Sequence, residues 1–125
     1  PWILRVRDRL SGATGTLAGW SLDIKTMPSD PAPAPATFPA TDPGLPKPIN
    51  DNSTVVSSFT VSGAKSYLWD VNLTTGIEHT AVSDLEIKLS HAGRTITLST
   101  DTIGPATLFN GVVWNDSAEV PVTQA

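Results

Sequence analysis

Cysteine is absent from the 125 residues. That excludes disulfide bonds, thiolate-ligated zinc and thiol catalysis, but does not argue against a secreted protein. No apolar run approaches the ~20 residues that cross a bilayer as a helix, so no membrane partner is expected. No leader segment is recognisable, and Pro1 is not a natural start; the expectation is a piece of a longer polypeptide. Charge is also scarce, at 16% of residues with a net charge of -4. A nucleic-acid binder needs a basic face to neutralise phosphates, so that class is not expected either. The one basic cluster, Arg5, Arg7 and Arg9, repeats every second residue. It therefore falls on one side of a strand, where a solvated face is the plain reading. No stretch carries the helical period.

What the chain does hold is turn-forming and β-branched material. In residues 1–26, Trp2, Leu4 and Val6 alternate with Ile3, Arg5 and Arg7, and Trp20, Leu22 and Ile24 alternate with Ser21, Asp23 and Lys25. Period two predicts two half-buried strands, with a tight turn around the glycine-rich Ser11–Gly15. Residues 27–48 contain eight of the eleven prolines. Proline lacks the backbone donor that a strand or helix needs, so this zone reads as an extended, semi-rigid linker. Residues 49–125 return to strands: Val55, Ser57, Phe59 and Val61 share a face, then Val71, Leu73, Thr75 and Ile77, then Leu85, Ile87 and Leu89, with Ile96 and Leu98 after the turn at His91-Ala92-Gly93. Turn signals every eight to twelve residues predict an all-β sandwich of about eight strands.

Catalytic signatures are missing. There is no Gly-x-Ser-x-Gly elbow and no Gly-Thr-Ser-x-Ala-x-Pro stretch around a nucleophile. The glycine-rich segment at 11–16 has no phosphate-loop lysine and precedes a strand. His79 at a strand end and His91 in a turn read as structural or solvated, so the chain reads as a non-enzyme. Calcium takes six to eight oxygens. Asp51, Asp70, Asp84, Asp101 and Asp116 each lie near a predicted strand end, and Asp70 with Asp84 form the candidate metal pair; the bland alternative is that both cap turns through backbone N–H groups. Four tryptophans are present, Trp2, Trp20, Trp69 and Trp114. Three sit at inward-alternating positions and are expected in the core. Trp69 is the exception and the candidate ligand-binding residue.

Four segments carry a resemblance. Residues 70–98, with Asp70, Val71, His79, Thr80, Asp84, Leu85 and Gly93, resemble the central block of the P domain (P/Homo B domain) of subtilisin-like proprotein convertases and related bacterial secreted proteases. Residues 108–116 resemble its Phe-Asn-Gly segment, and residues 49–63 its first strand. Residues 2–24, with Trp2, Leu4, Val6, Asp8, Gly12, Gly15, Thr16, Leu17, Trp20 and Leu22, resemble the closing motif of the same family, although Ala13 stands where an aspartate is usual. The resemblance implies a jelly-roll, galactose-binding-like sandwich. It also implies a secreted, non-catalytic module that stabilises a protease catalytic domain, or assists its maturation, in the parent protein. A free-standing carbohydrate- or protein-binding module, or a structural repeat, is the alternative. The order is unusual, since the closing strands (1–26) precede the opening and central ones (49–125). Either the fragment spans two tandem P domains, or residues 1–26 fold back onto 49–125; a sheet lacking its partner strand invites completion within the chain or from a strand-swapped copy.

Overall fold

The structure, a computed structural model, describes residues 1–26, 34–64 and 68–115, without the side chains of residues 34, 35 and 69. It is all-β, with nine strands among the described residues: β1 (Trp2–Asp8), β2 (Gly15–Thr26), β3 (Ala34–Pro39), β4 (Lys47–Ile49), β5 (Thr54–Phe59), β6 (Leu68–His79), β7 (Leu85–His91), β8 (Arg94–Thr100) and β9 (Asn110–Trp114). One 3-10 turn, Val82–Asp84, links β6 to β7. A four-stranded sheet runs β5-β1-β7-β8. A five-stranded sheet runs β3-β2-β6-β9, with β4 also paired to β2. Every pairing is antiparallel.

The expected alternation sets the faces. Leu4, Val6, Ile87 and Leu89 point inward from one sheet and Leu22, Ile24, Leu73 and Ile77 from the other, all buried in one core with Phe109. Arg5 and Arg7, on the same strand as Leu4 and Val6, are exposed. A one-residue slip would invert that arrangement, so burial fixes the register.

Residues 1–26 supply interior strands to both sheets within this single chain: β1 lies between β5 and β7, and β2 lies beside β6. Because β1 and β2 belong to different sheets, the segment around Gly12 (φ +103°) arches across the sandwich and does not close the expected tight hairpin turn. The arch sets the apolar faces of β1 and β2 against one another across the core, one in each sheet, where a hairpin would have placed both strands in the same sheet. The turn at Ala92-Gly93 does close a hairpin. Both residues have positive φ, 49° and 77°, the backbone twist that suits a two-residue connection.

The proline-rich zone departs from the linker expectation. Residues 27–33 lie outside the described set, but Ala34–Pro39 and Lys47–Ile49 are strands paired along one edge of β2. Proline is tolerated on an edge strand, where the missing N–H can face away from the ladder. The loop between them is tied to Asp42, whose Oδ1 accepts the Gly44 N–H at 2.9 Å. Asp42 Oδ2 also accepts from Ser57 Oγ at 2.9 Å and from the Lys47 ammonium. Ser57 in turn accepts from buried Trp20 Nε1 at 2.9 Å, so a continuous polar chain joins β2 of one sheet to β5 of the other.

Candidate functional site

At the start of β1 the two sheets part. Between the open edges of β8 and β9 lies a cleft of about 510 Å³. Its walls are largely apolar: Leu89, Ile96 and Leu98 from one sheet, Leu68, Val71 and Leu73 from the other, with Trp2 and Trp114 at the mouth. Asp70, Thr97 and Asn115 supply the polar groups. An apolar hollow of this size with a few polar groups has the general make-up of a ligand or docking site.

Local structure holds both tryptophans. Trp2 stacks on His91 with ring centroids 4.0 Å apart and planes 11° apart. Trp114 stacks on Phe109 at 5.6 Å, and its Nε1 donates to Thr75 Oγ1 at 3.0 Å. Thr75 Oγ1 itself donates to the Phe109 carbonyl at 3.0 Å. The rings are therefore preset, with little ordering left to be done on binding. Ile96 is 56% exposed and Leu68 46%, an exposure that hydrophobic alternation does not produce within a closed core.

At the far end of β1, Asp8 and His79 meet with no solvent exposure. His79 Nε2 lies 3.3 Å from Asp8 Oδ2, without hydrogen-bond alignment, and neither atom has another partner. His79 Nδ1 lies 2.8 Å from the Ala81 carbonyl. The Leu10 N–H donates to Asp8 Oδ1 at 3.2 Å. Gly15 sits directly opposite His79 in the ladder, and a Cβ there would fall 2.6 Å from His79 Cδ2. The Thr80 N–H donates to the Thr14 carbonyl at 3.1 Å and the Arg9 N–H to the Asp84 carbonyl at 2.9 Å. Asp8, Gly15, His79, Thr80 and Asp84, distant in sequence, thus converge at one end of the sandwich.

The expected metal pair is not brought together. Asp70 is near the start of β6 and Asp84 follows its end, about 30 Å apart along the strand at ~3.3 Å per residue. Asp70 lies 3.4 Å from Lys25 Nζ and accepts from Asn72 at 3.3 Å; Asp84 accepts from Ser83 at 3.1 Å. Among the described residues, the aspartates whose side chains accept backbone N–H groups are Asp8, Asp42 and Asp51, the last from Gly12 at 2.9 Å. Asp101 pairs with Arg9 at 3.0 Å, and Asp116 lies outside the described residues. Among the described residues, no group of three His, Cys, Asp or Glu is placed to hold a metal. The Trp69 side chain is likewise not described, but its neighbours Leu68 and Asp70 both line the cleft.

Of the other tryptophans, Trp20 is in the core as expected, while Trp2 and Trp114 are half-buried at the cleft mouth. Sequence pattern missed this because inward alternation looks the same in a closed core and at a parted sheet edge. Asp42 was missed as well, inside a zone read as linker. Lys47 first, then the Gly44 N–H and the Ser57 hydroxyl, hold its carboxyl at about 2, below the ordinary 3.8.

Comparison with known proteins returns no matching family model, no matching curated sequence and no matching solved structure.

Proposed function

We propose that the chain is a non-catalytic accessory module of a secreted subtilisin-like endopeptidase, a jelly-roll sandwich of the P-domain kind that stabilises the catalytic domain. One observation carries the reading. Asp8 and Gly15, from the segment resembling the family's closing motif, pack against His79, from the segment resembling its central block, and the neighbouring Thr14 carbonyl accepts the Thr80 N–H. Separate motif residues that meet in space behave as parts of one unit, whatever their order along the chain. The cleft between β8 and β9 is the surface offered to the partner. A partner that binds only the folded catalytic domain raises that domain's stability by mass action.

The test is the parent polypeptide, expressed with and without these residues. The expected result is slower thermal inactivation of its protease activity when the module is present. Ile96→Asp at the cleft edge should abolish that protection. Equal inactivation rates, or a parent polypeptide that encodes no catalytic domain, overturns the reading.

A second reading, a carbohydrate-binding module, draws on Trp2 and Trp114 flanking a cleft that also holds Asp70 and Asn115. It requires tryptophan emission to shift on titration with soluble oligosaccharides, and to stop shifting in Trp114→Ala.

A further inference from the structure

The outer face of the four-stranded sheet holds more positive charge than the fold pairs. The ladder aligns Val56, Arg5, Lys88 and Thr97 in one row, and Thr54, Arg7, Glu86 and Thr100 in the next. Arg5 therefore stands directly across from Lys88, a like-charge pairing that disfavours the sheet. Lys88 turns to Glu86, at 2.9 Å. The Arg5 side chain makes no hydrogen bond or ion pair with any described residue, and that of Arg7 makes no hydrogen bond but faces Glu86 across the ladder, where Lys88 first, and then the Arg7 charge, hold the Glu86 carboxyl below its usual range. Arg9, beyond the end of β1, is spent on Asp101 at 3.0 Å. Two exposed guanidinium groups on adjacent outward positions of a central strand, together with Lys88, thus share a single carboxylate on this face, Glu86.

Charge and area narrow what could match them. Arg5, Arg7, Lys88 and Glu86 sum to +2, so the rest of this chain of net charge -4 carries -6. A long phosphate or sulfate polymer would extend past the face by more than the ~8 Å screening length and meet that acidic remainder. Carboxylates confined to the footprint of the face would not. Guanidinium forks bind carboxylates in a bidentate way. Ile3 and the 42%-exposed Val56 add the apolar spots usual in protein contacts. Four strands at ~4.8 Å spacing and seven residues at ~3.3 Å give roughly 400 Å². That is about half of what each partner contributes to a standard interface, but about 800 Å² counted on both sides, which is within the range for neighbouring domains of one polypeptide.

We propose that this face docks a carboxylate-rich polypeptide surface, received by Arg5 and Arg7. The inference requires no protease and stands apart from the accessory-module reading, which is decided by heat inactivation of the parent. The test is a titration of the isotope-labelled chain with octaglutamate and, separately, with a heparin octasaccharide, followed by amide chemical shifts. Octaglutamate is expected to shift the amides around Arg5, Arg7 and Lys88, with affinity falling as salt is raised. Roughly tenfold weaker binding is expected in the Arg5→Ser/Arg7→Ser variant, through loss of both bidentate contacts. That variant should melt close to the parent chain, because the unfavourable Arg5–Lys88 pairing and the favourable Arg7–Glu86 pairing are removed together and offset one another. No octaglutamate shifts at low salt, shifts centred on another face, or tighter binding of the heparin octasaccharide at this face would each overturn the proposal.

Discussion

The bond from Trp20 to Ser57 links the two sheets through their interior, and its worth can be isolated. Trp20 is 5% exposed and Ser57 1%. The indole N–H donates to Ser57 Oγ at 2.9 Å, and Trp20 also packs edge-on against Phe59, with ring centroids 4.8 Å apart. Ser57→Ala removes the acceptor and leaves a buried N–H unpaired, which costs about 1–3 kcal/mol. For a domain of this length that is a loss of roughly 4–12 °C in melting temperature. Trp20→Phe destabilises through the volume it deletes but leaves no donor stranded. In the Trp20→Phe background, Ser57→Ala then loses only the Ser57–Asp42 bond, a loss common to both backgrounds that cancels in a double-mutant cycle. The expected coupling is therefore about 1–3 kcal/mol, read from urea unfolding followed by far-ultraviolet circular dichroism because tryptophan emission changes with the mutation. Coupling below about 0.5 kcal/mol, the level at which independent sites add, would refute the view that this bond clamps the sheets.

Asp42 and Gly15 each give a further expected outcome. Asp42 releases its proton at about 2 when folded, against 3.8 ordinarily, so its contribution to stability is complete above about pH 4 and is lost as pH falls towards 2. Asp42→Asn should flatten the acid limb of a stability-versus-pH curve in that window, and an unchanged limb contradicts the assignment. Gly15→Ala would drive a Cβ against the Glu78 carbonyl oxygen and to 2.6 Å from His79 Cδ2; β6 backbone cannot yield there, so a loss of about 3 kcal/mol or more is expected, and a thermal melt within 2 °C of the parent chain, less than ~1 kcal/mol on the same scale, would show that β2 and β6 are not so closely paired.

Faces were readable where alternation is strict. Leu4 and Val6 against Arg5 and Arg7, or Leu85, Ile87 and Leu89 against Glu86 and Lys88, place every side chain on the expected side, because period two is a local property of the strand. Pairing was less readable. Gly12 and Gly15 suggested a tight turn, but glycine serves a hairpin and an arch between sheets equally well, and the choice is made by which apolar faces must oppose. Proline gave the strongest local signal against a strand at 27–48. That signal holds for central strands and relaxes at an edge, which is where β3 lies. The cleft was least readable of all, since Trp2, Ile96 and Trp114 fill positions whose pattern is that of core residues.

The same reasoning bears on the order of segments. The contacts that hold β1 in place are cross-strand pairs to β5 on one side and to β7 on the other. Both are antiparallel, and both have their register fixed by burial of Leu4 and Val6. Neither contact depends on which strand comes first in the chain. Connection length affects closure entropy only logarithmically, about 0.6 kcal/mol for each doubling of a flexible loop. A sandwich of this kind is therefore nearly indifferent to where its chain is cut, provided every interior strand is present. β1 and β2 are both interior, as are β6 and β7, so neither sheet is complete without residues 1–26, although they come first in the chain.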